Sequence, residues 1–205
     1  MLIRDVGDTA FSVEFDGNAE VMGLRAAIRR SLPLRGLVEL VPSLRSLLVC
    51  FDPQATSRAE IEAVVAALAA DIGGDAMGEG RLWRIPVRYD GPDLVDVAKA
   101  RGLSVEEVVG LHSTAVYRVL MLGFMPGFAY MGGLSAALRL PRLATPRLRV
   151  PAGAVAIADD MTAIYPWESP GGWRLLGRSS VCLFDQSREP PALLAAGDRV
   201  EFFAE

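Results

Sequence analysis

The residues of this chain that could do chemistry are few, and arginine dominates them. His112 is the only histidine and Lys99 the only lysine, so 20 of the 21 basic residues are arginines. Any catalytic pair that needs an imidazole must therefore use His112. Cys50 and Cys182 lie far apart in apolar runs, which predicts buried free thiols rather than a disulfide or a zinc site. No GxxxxGK[ST] or GxGxxG loop occurs, which excludes the common nucleotide-binding loops.

A basic stretch stands out within an acidic chain of net charge −4. It contains no acidic residue between Glu107 and Asp159, but it contains five arginines, Arg118, Arg139, Arg142, Arg147 and Arg149. Arg147 and Arg149 alternate with apolar residues, so an extended segment would point both guanidinium groups to one face. Paired guanidinium groups suit a carboxylate or a phosphate. Ion pairs with acids elsewhere in the chain, or in a partner, explain the charge pattern equally well.

Two turn-rich motifs add candidate residues to this stretch. The segment Leu122–Leu134 (LGFMPGFAYMGGL) combines glycines with aromatic residues, which is typical of a ligand-lining loop and predicts roles for Phe124 and Gly127. In Pro166–Arg174 (PWESPGGWR), Glu168 and Ser169 lie between two tryptophans, where a partly desolvated carboxylate could act as a base or a Mg²⁺ ligand. Structural alternatives remain open: a packing loop, a carboxylate that caps a turn, and, for His112, a buried imidazole.

The elements that must position these residues fall into two groups. In the first, the patterns predict strands at Phe11–Phe15 and Leu44–Phe51, and helices from Asn18 to Leu32 and from the capping box at Ser57 to about Ile72. A glycine-rich segment, Gly73–Gly80, is the predicted linker. We therefore expect an α+β protein with a small split-βαβ-like α/β domain over residues 1–78 and a second domain over residues 79–205.

The second group begins with a strand at 82–89 and helices at Asp93–Arg101 and from the capping box at Ser104 to about Ser113. Short strands separated by Gly and Pro then follow, which predicts a closed or nearly closed β-barrel. The predicted strands lie at 117–122, 154–157, 162–165, 173–177, 181–184 and 199–203, and Pro190–Leu194 has the form of a short helix start.

Composition narrows the classes of protein further. The longest uninterrupted apolar run, Ala63–Ala70, is far short of the ~20 residues that cross a bilayer. The first residues lack the basic and apolar regions of a signal peptide, which predicts a cytoplasmic protein without a membrane association. A pI near 5.2 disfavours nucleic acid as a partner. Aromatic-rich loops and a mean hydropathy of +0.30 instead predict a surface for a protein partner.

Several of these motifs, in this order, resemble one known family. His112 with Tyr117–Val119, the LGFMPGFAYMGGL segment, and the long run from Leu143 to Ser179 are similar to the subunit-1 family of allophanate-hydrolase-like proteins. That family includes the B-type component of the ATP-dependent 5-oxoprolinases (PxpB) and the sporulation kinase inhibitor KipI. The resemblance is dense from about Arg81 to Phe203 and looser before it. It implies a small α/β domain followed by a cyclophilin-like β-barrel domain.

The resemblance also implies a function and partners. As part of a 5-oxoprolinase, such a chain would act with a subunit-2 protein (PxpC/KipA-like) and a LamB/YcsF-type protein to hydrolyse 5-oxo-L-proline to L-glutamate at the expense of ATP and Mg²⁺. If ATP phosphorylates the lactam oxygen, the site needs cation clamps and a metal ligand. Alternatives are a KipI-like inhibitor of a histidine kinase and a component of an allophanate or urea pathway.

Roles for individual residues follow as expectations. We expect Arg118, Arg147, Arg149 and Arg178 to bind anionic groups and His112 to carry or orient a proton. Glu168 would serve as base or metal ligand. Three further residues would line the substrate site: Phe124, Gly127 and Ser169.

Overall fold

A computed structural model of the chain describes residues 1–31, 33–70, 72 and 80–205. The chain divides into two compact units, Met1–Glu79 and Gly80–Glu205. Most of the predicted linker, residues 73–79, lies outside the described residues, as does Leu32 at the predicted end of the first helix. The expected domains over residues 1–78 and 79–205, and independent folding of the two units, stay predictions.

The first unit is a four-stranded antiparallel sheet with two helices. Its elements are β1 (Leu2–Asp5), β2 (Ala10–Glu14), α1 (Asn18–Arg30), β3 (Leu37–Pro42), β4 (Ser46–Phe51) and α2 (Arg58–Ala70). The strand order is β1-β2-β4-β3. Because β2 and β3 both pair antiparallel with β4, they run parallel to each other and α1 connects them, which is a split βαβ arrangement. Phe11, Leu24, Leu47 and Val65 meet in the core.

The second unit is dominated by a curled sheet. Its elements are β5 (Leu82–Val87), α3 (Leu94–Arg101), α4 (Val105–Ser113), β6 (Val116–Leu122), β7 (Ala129–Gly132), a short 3₁₀ helix (Ala136–Leu138), β8 (Arg147–Val150), β9 (Ala154–Ala158), β10 (Met161–Ile164), β11 (Ser169–Gly171), β12 (Arg174–Arg178) and β13 (Arg199–Ala204). Seven strands form the sheet in the order β12-β9-β10-β7-β6-β13-β5. Its edge strands meet at a bridge in which the backbone amides of Arg88 and Arg178 donate to each other's carbonyl at 2.8 and 2.9 Å.

The local sequence provides caps at the start of α4 and at the end of α3. The Ser104 hydroxyl accepts from the Glu107 backbone N–H at 3.1 Å, and the Glu107 carboxylate accepts from the Ser104 N–H at 2.7 Å. This confirms the predicted capping box, which satisfies two amides that α4 cannot pair internally. Gly102 ends α3 in the left-handed region with φ 67°, where glycine has no side-chain penalty. Among the described residues, no helix is long and apolar enough to span a membrane.

The structure also differs from the predicted elements. Strands β1, β3, β7 and β11 were not predicted, and β8 was expected only as an extended segment. Residues 181–184 form no strand beyond a single bridge at Phe184, and residues 190–194 contain no helix. Both cysteines are free thiols, as predicted, but neither is buried, since Cys50 is half-buried and Cys182 is exposed. The apolar run around Cys182 lies outside the sheet, which leaves its side chain uncovered.

Candidate functional site

A cavity of about 230 Å³ in the second unit brings aromatic side chains and one arginine together. We call it the aromatic pocket. Its lining consists of Phe124, Phe128, Tyr130, Arg142, Pro146, Tyr165, Pro170, Gly171, Gly172 and Trp173. These residues come from separate stretches of the chain: the β6–β7 connection, the segment before β8, the end of β10, and β11 with the turn that follows it. The fold therefore assembles the pocket from residues that are distant in sequence.

The β6–β7 connection supplies the aromatic wall. Phe128 is buried at its centre, with ring centroids 4.9 Å from Tyr130, 5.3 Å from Tyr165 and 6.0 Å from Trp173. Phe124 contacts Phe128 edge-on at 5.4 Å and yet is 62% exposed. It has φ 66°, and the Met125 N–H donates to the Gly123 carbonyl across it at 2.8 Å. This is a γ-turn with positive φ, a strained conformation of the kind found at ligand sites.

Gly127 shapes the same connection, as the sequence predicted for a glycine that needs conformational freedom. Its φ is 82°, and a Cβ there would lie 2.8 Å from the Cβ of Phe184. Trp167 also holds the connection, since its indole N–H donates to the Pro126 carbonyl at 3.1 Å. Gly127 therefore supports the pocket through backbone packing, and Phe124 lines it directly.

Three polar side chains line the aromatic pocket, those of Tyr130, Tyr165 and Arg142. Burial raises the pKa of Tyr165 above its ordinary value, so its hydroxyl keeps its proton. Gly171 leaves room for this hydroxyl, because a Cβ at Gly171 would lie 2.4 Å from it. Arg142 is the cation at the pocket, and its nearest carboxylate contact is a distant one, with Nε 4.0 Å from Asp159.

Three of the predicted anion-binding arginines have close carboxylate partners instead. Arg147 lies 2.5 Å from the buried Asp93, Arg149 2.7 Å from Glu168, and Arg178 2.8 Å from Asp90. The pairs of Arg147 and Arg149 are of the kind that the charge pattern left open as an alternative. Anion binding by Arg147, Arg149 and Arg178 stays a prediction. Although β8 is extended as expected, the two guanidinium groups on it contact different acids. Of the three, Arg178 lines a separate cavity of about 330 Å³ and none lines the aromatic pocket.

Arg118 lies on β6, where its strand neighbour on β13 is Arg199. Its Nη1 is buried and has no hydrogen-bond partner among the described residues, and the same holds for Nε of Arg199. Arg118 does not line the aromatic pocket. Its predicted role in binding an anion stays a prediction.

Glu168 and Ser169 lie at the start of β11, beside the aromatic pocket but not among its lining residues. One Glu168 oxygen, Oε1, accepts from both Nε and Nη2 of Arg149, at 2.9 and 2.7 Å. The Ser169 hydroxyl donates to the Pro170 carbonyl at 3.2 Å. Within residues 1–31, 33–70, 72 and 80–205, no group of three or more acidic, His or Cys side chains is arranged to hold a metal ion. Because Mg²⁺ is often bound through only one or two carboxylates together with substrate phosphates, a role of Glu168 as base or Mg²⁺ ligand stays a prediction.

His112 lies in the core, with no exposed surface. The Thr162 hydroxyl donates to the Ala156 carbonyl at 3.0 Å, so its oxygen accepts from His112 Nε2, also at 3.0 Å. This places the imidazole proton on Nε2, and Nδ1 then accepts from the Tyr89 hydroxyl at 2.8 Å. Burial lowers the pKa of His112 to about 3. A neutral imidazole with both nitrogens paired suits a structural role, and catalysis by His112 stays a prediction.

Sequence reasoning found the Phe124 side of the pocket and missed the opposite side. Arg142 was one of five arginines in the basic stretch, and nothing in its spacing separated it from the others. Tyr165 and Trp173 were assigned to strands, because apolar and aromatic residues in short runs are typical of strands. The usable signal was the Gly171–Gly172 pair before Trp173, since adjacent glycines permit close approach.

Comparisons with known proteins agree on one group of relatives. A model of the family described as carboxyltransferase domain, subdomain C and D, matches residues 1–194. The chain is 39% identical to the B subunit of 5-oxoprolinase from Bacillus subtilis (strain 168), covering 98% of this chain and 91% of that protein. It is 38% identical to the B subunit of 5-oxoprolinase from Escherichia coli O157:H7, covering 96% of this chain and 93% of that protein.

Longer proteins also contain a part similar to this chain. In the crystal structure of TTHA0988, the similar part has a TM-score of 0.82 and 41% identity, and it covers 100% of this chain but 40% of that one. The urea amidolyase of Saccharomyces cerevisiae is 26% identical over 99% of this chain, which corresponds to 13% of that protein. In these two proteins the part similar to this chain is therefore one segment of a longer polypeptide.

Proposed function

The chain belongs to the family described as carboxyltransferase domain, subdomain C and D, and from that membership we propose that it is the B-type subunit of a multi-subunit 5-oxoprolinase. The observation that carries the proposal is the similarity to two proteins named as the B subunit of 5-oxoprolinase, over more than nine-tenths of their lengths. The sequence motifs led to the same family independently. The proposed reaction is the hydrolysis of 5-oxo-L-proline to L-glutamate.

The residues that line the aromatic pocket support an enzyme whose catalytic groups come from several subunits rather than from this chain alone. A lactam is a poor electrophile, so its hydrolysis needs an activating group, a base and stabilisation of developing charge. The aromatic pocket contains an arginine and two tyrosines but no carboxylate or imidazole. We infer that other subunits supply the remaining groups, and that ATP with Mg²⁺ binds outside the aromatic pocket. The cavity is also below the ~300–1,000 Å³ typical of sites for larger ligands, which favours a small substrate over a nucleotide.

We propose a subunit-2 protein (PxpC/KipA-like) as the direct partner and a LamB/YcsF-type protein as a third component. TTHA0988 supports a partner, because a domain that is fused to others in one protein commonly associates with them as a separate chain in another. Exposed apolar residues near the pocket also support it: Leu148 is 87% exposed and Trp167 48% exposed. Side chains of this size are commonly covered in an assembly. A cytoplasmic location is part of the same proposal.

A second candidate function is a component of a urea or allophanate pathway, which the similarity to urea amidolyase favours. We rank it lower, because the identity is 26% and the similar part is a small fraction of that protein. A KipI-like regulator of a histidine kinase stays the third hypothesis. The three predict different activities for the same purified chain, so one set of assays separates them.

The test is reconstitution. The chain is co-expressed with the subunit-2 and LamB/YcsF-type proteins, and ATP hydrolysis and glutamate release are measured with 5-oxo-L-proline. We expect turnover only when all three proteins are present, and loss of turnover when this chain is omitted. Equal turnover without this chain would contradict the proposal. ATP hydrolysis that responds to allophanate or urea instead, or inhibition of kinase autophosphorylation by the chain alone, would favour the other two candidates.

A further inference from the structure

We propose that the aromatic pocket is the binding site for the five-membered ring and carboxylate of 5-oxo-L-proline, and that Arg142 binds the carboxylate. The identity of the ligand rests on the proposed function. The existence of a site for a small cyclic carboxylate rests on the pocket alone. Three features of the pocket carry the inference: the available charge on Arg142, the aromatic walls, and the Tyr165 hydroxyl.

The first feature is that Arg142 retains donors that the neighbouring arginines have already used. Arg147, Arg149 and Arg178 each have a carboxylate within 2.8 Å. The ion pair of Arg142 is through Nε at 4.0 Å, and its guanidinium carbon lies 6.0 Å from the centre of the Trp173 ring. Both terminal nitrogens of Arg142 can therefore bind a carboxylate in the paired geometry that guanidinium groups favour.

The second feature is the chemistry of the walls. Phe124, Phe128 and Trp173 present apolar surface on the sides of a cavity of about 230 Å³, a space that suits a compact ring. A saturated five-membered ring packs well on aromatic surface and gains by leaving water. Phe124 contributes an exposed ring in a strained backbone conformation, and such strain is commonly retained where a side chain must meet a ligand.

The third feature is a donor for the lactam carbonyl. Tyr165 lines the pocket, and its hydroxyl carries a proton that it can donate to a carbonyl oxygen there. Gly171 keeps that hydroxyl accessible, because any larger residue would press on it. Together, Arg142 and Tyr165 would fix both polar ends of 5-oxo-L-proline, while the aromatic residues hold the ring between them.

The test is equilibrium binding of 5-oxo-L-proline to the full chain, measured by isothermal titration calorimetry. Arg142→Ala should weaken binding about 10- to 100-fold, the usual worth of a hydrogen bond to a charged group. The matched control is Arg139→Ala, an exposed arginine of the same basic stretch outside the pocket, which should leave affinity within about twofold. Tyr165→Phe should weaken 5-oxo-L-proline more than L-proline, which has no ring carbonyl.

A second ligand removes the ambiguity between a lost contact and a damaged pocket. 2-Pyrrolidinone has the lactam ring without the carboxylate, so Arg142→Ala should not change its affinity. Equal weakening of both ligands by Arg142→Ala, equal affinity of the wild type and Arg142→Ala for 5-oxo-L-proline, or no binding at millimolar concentrations would each overturn the proposal.

The proposed function can fail separately. If Arg142-dependent binding of cyclic carboxylates is measured but the reconstituted complex does not hydrolyse 5-oxo-L-proline, the pocket stands and the 5-oxoprolinase assignment falls. If the complex hydrolyses 5-oxo-L-proline and Arg142→Ala does not affect this hydrolysis, the 5-oxoprolinase assignment stands and the proposed binding site falls.

Discussion

The second unit treats polar groups differently in its interior and at the aromatic pocket. Around His112 each polar group has a partner: the imidazole bonds to Tyr89 and Thr162, and Thr162 bonds to a backbone carbonyl. At the aromatic pocket, Arg142 has one distant ion pair, and the protonated Tyr165 hydroxyl belongs to a residue of the lining. A satisfied buried network stabilises and orders a core, whereas polar groups that face a cavity with donors unused are ready for a ligand. His112, chemically the most suggestive residue of the sequence, therefore belongs to the satisfied network of the core and not to the aromatic pocket.

The largest expected effect breaks the closed network itself. His112→Ala should lower the free energy of unfolding of the second unit by about 4 kcal/mol, since it leaves a cavity in the core and removes the hydrogen-bond partner of the Tyr89 hydroxyl. Urea denaturation at pH 7 measures the change. Thr162→Val, which removes one hydrogen-bond partner and keeps the ring, should cost about 1–2 kcal/mol. Stability within about 0.5 kcal/mol of the wild type for both variants would contradict a structural role.

The next effect concerns the buried ion pair between Asp93 and Arg147. Asp93→Ala should cost about 3 kcal/mol of unfolding free energy, because it leaves Arg147 unpaired and also removes the acceptor of the Leu175 backbone N–H, at 2.7 Å. Asp93→Asn keeps an acceptor for that N–H and should cost less. Thermal unfolding compares the two variants. If both variants are as stable as the wild type, the Asp93–Arg147 pair does not stabilise the core as the hydrogen bonds around His112 do.

The buried His112 should also make the free energy of unfolding depend on pH, by about 2 kcal/mol. Burial lowers the pKa of His112 to about 3 in the folded chain, whereas the unfolded chain has the ordinary value near 6.5. Below pH 6.5 the unfolded state takes up a proton that the folded state does not. The free energy of unfolding therefore decreases as the pH is lowered. Tyr89 and Tyr117 face the ring, and burial raises the pKa of both, so neither titrates here.

Between pH 7 and pH 5 this single group should therefore remove about 2 kcal/mol of unfolding free energy. Urea denaturation of the wild type and of His112→Gln at both pH values isolates the contribution. The wild type should lose about 2 kcal/mol more than the variant. An equal loss in both proteins would mean that His112 is protonated in the folded state.

The smallest expected effect is at the exposed pair of Arg149 and Glu168, whose side chains are 77% and 52% exposed. Arg149→Ala should change the free energy of unfolding by less than about 1 kcal/mol, because solvent screens an exposed ion pair. It should leave turnover of the reconstituted complex within about twofold. A large loss of turnover in a complex that still assembles, verified by size-exclusion chromatography, would return Arg149 to the binding site that its spacing first suggested.

The sequence was informative where local chemistry decides structure. The capping box at Ser104, the helices at 94–101 and 105–113, and the longer strands such as β6 and β13 follow from patterns within a few residues. Strands β7, β8 and β11 are three or four residues long within Gly- and Pro-rich segments. Their pairing depends on distant partners, which a local pattern does not contain.

The candidate site divides in the same way. Phe124 and Gly127 could be identified, because a glycine-rich segment with aromatic residues is itself unusual. Arg142 could not be separated from Arg147, because the distinction depends on Asp93, which lies 54 residues from Arg147 in the chain. Which arginine is neutralised and which faces a cavity is a property of the tertiary structure.

The most direct test compares Arg142 of the aromatic pocket with His112 of the core network within one enzyme. In the reconstituted complex, KM and kcat for 5-oxo-L-proline are measured for Arg142→Ala and for His112→Gln, each corrected for the folded fraction. We predict that Arg142→Ala raises KM at least about tenfold, while His112→Gln leaves kcat and KM within about threefold of the wild type. A collapse of kcat in folded His112→Gln, together with an unchanged KM in Arg142→Ala, would contradict it.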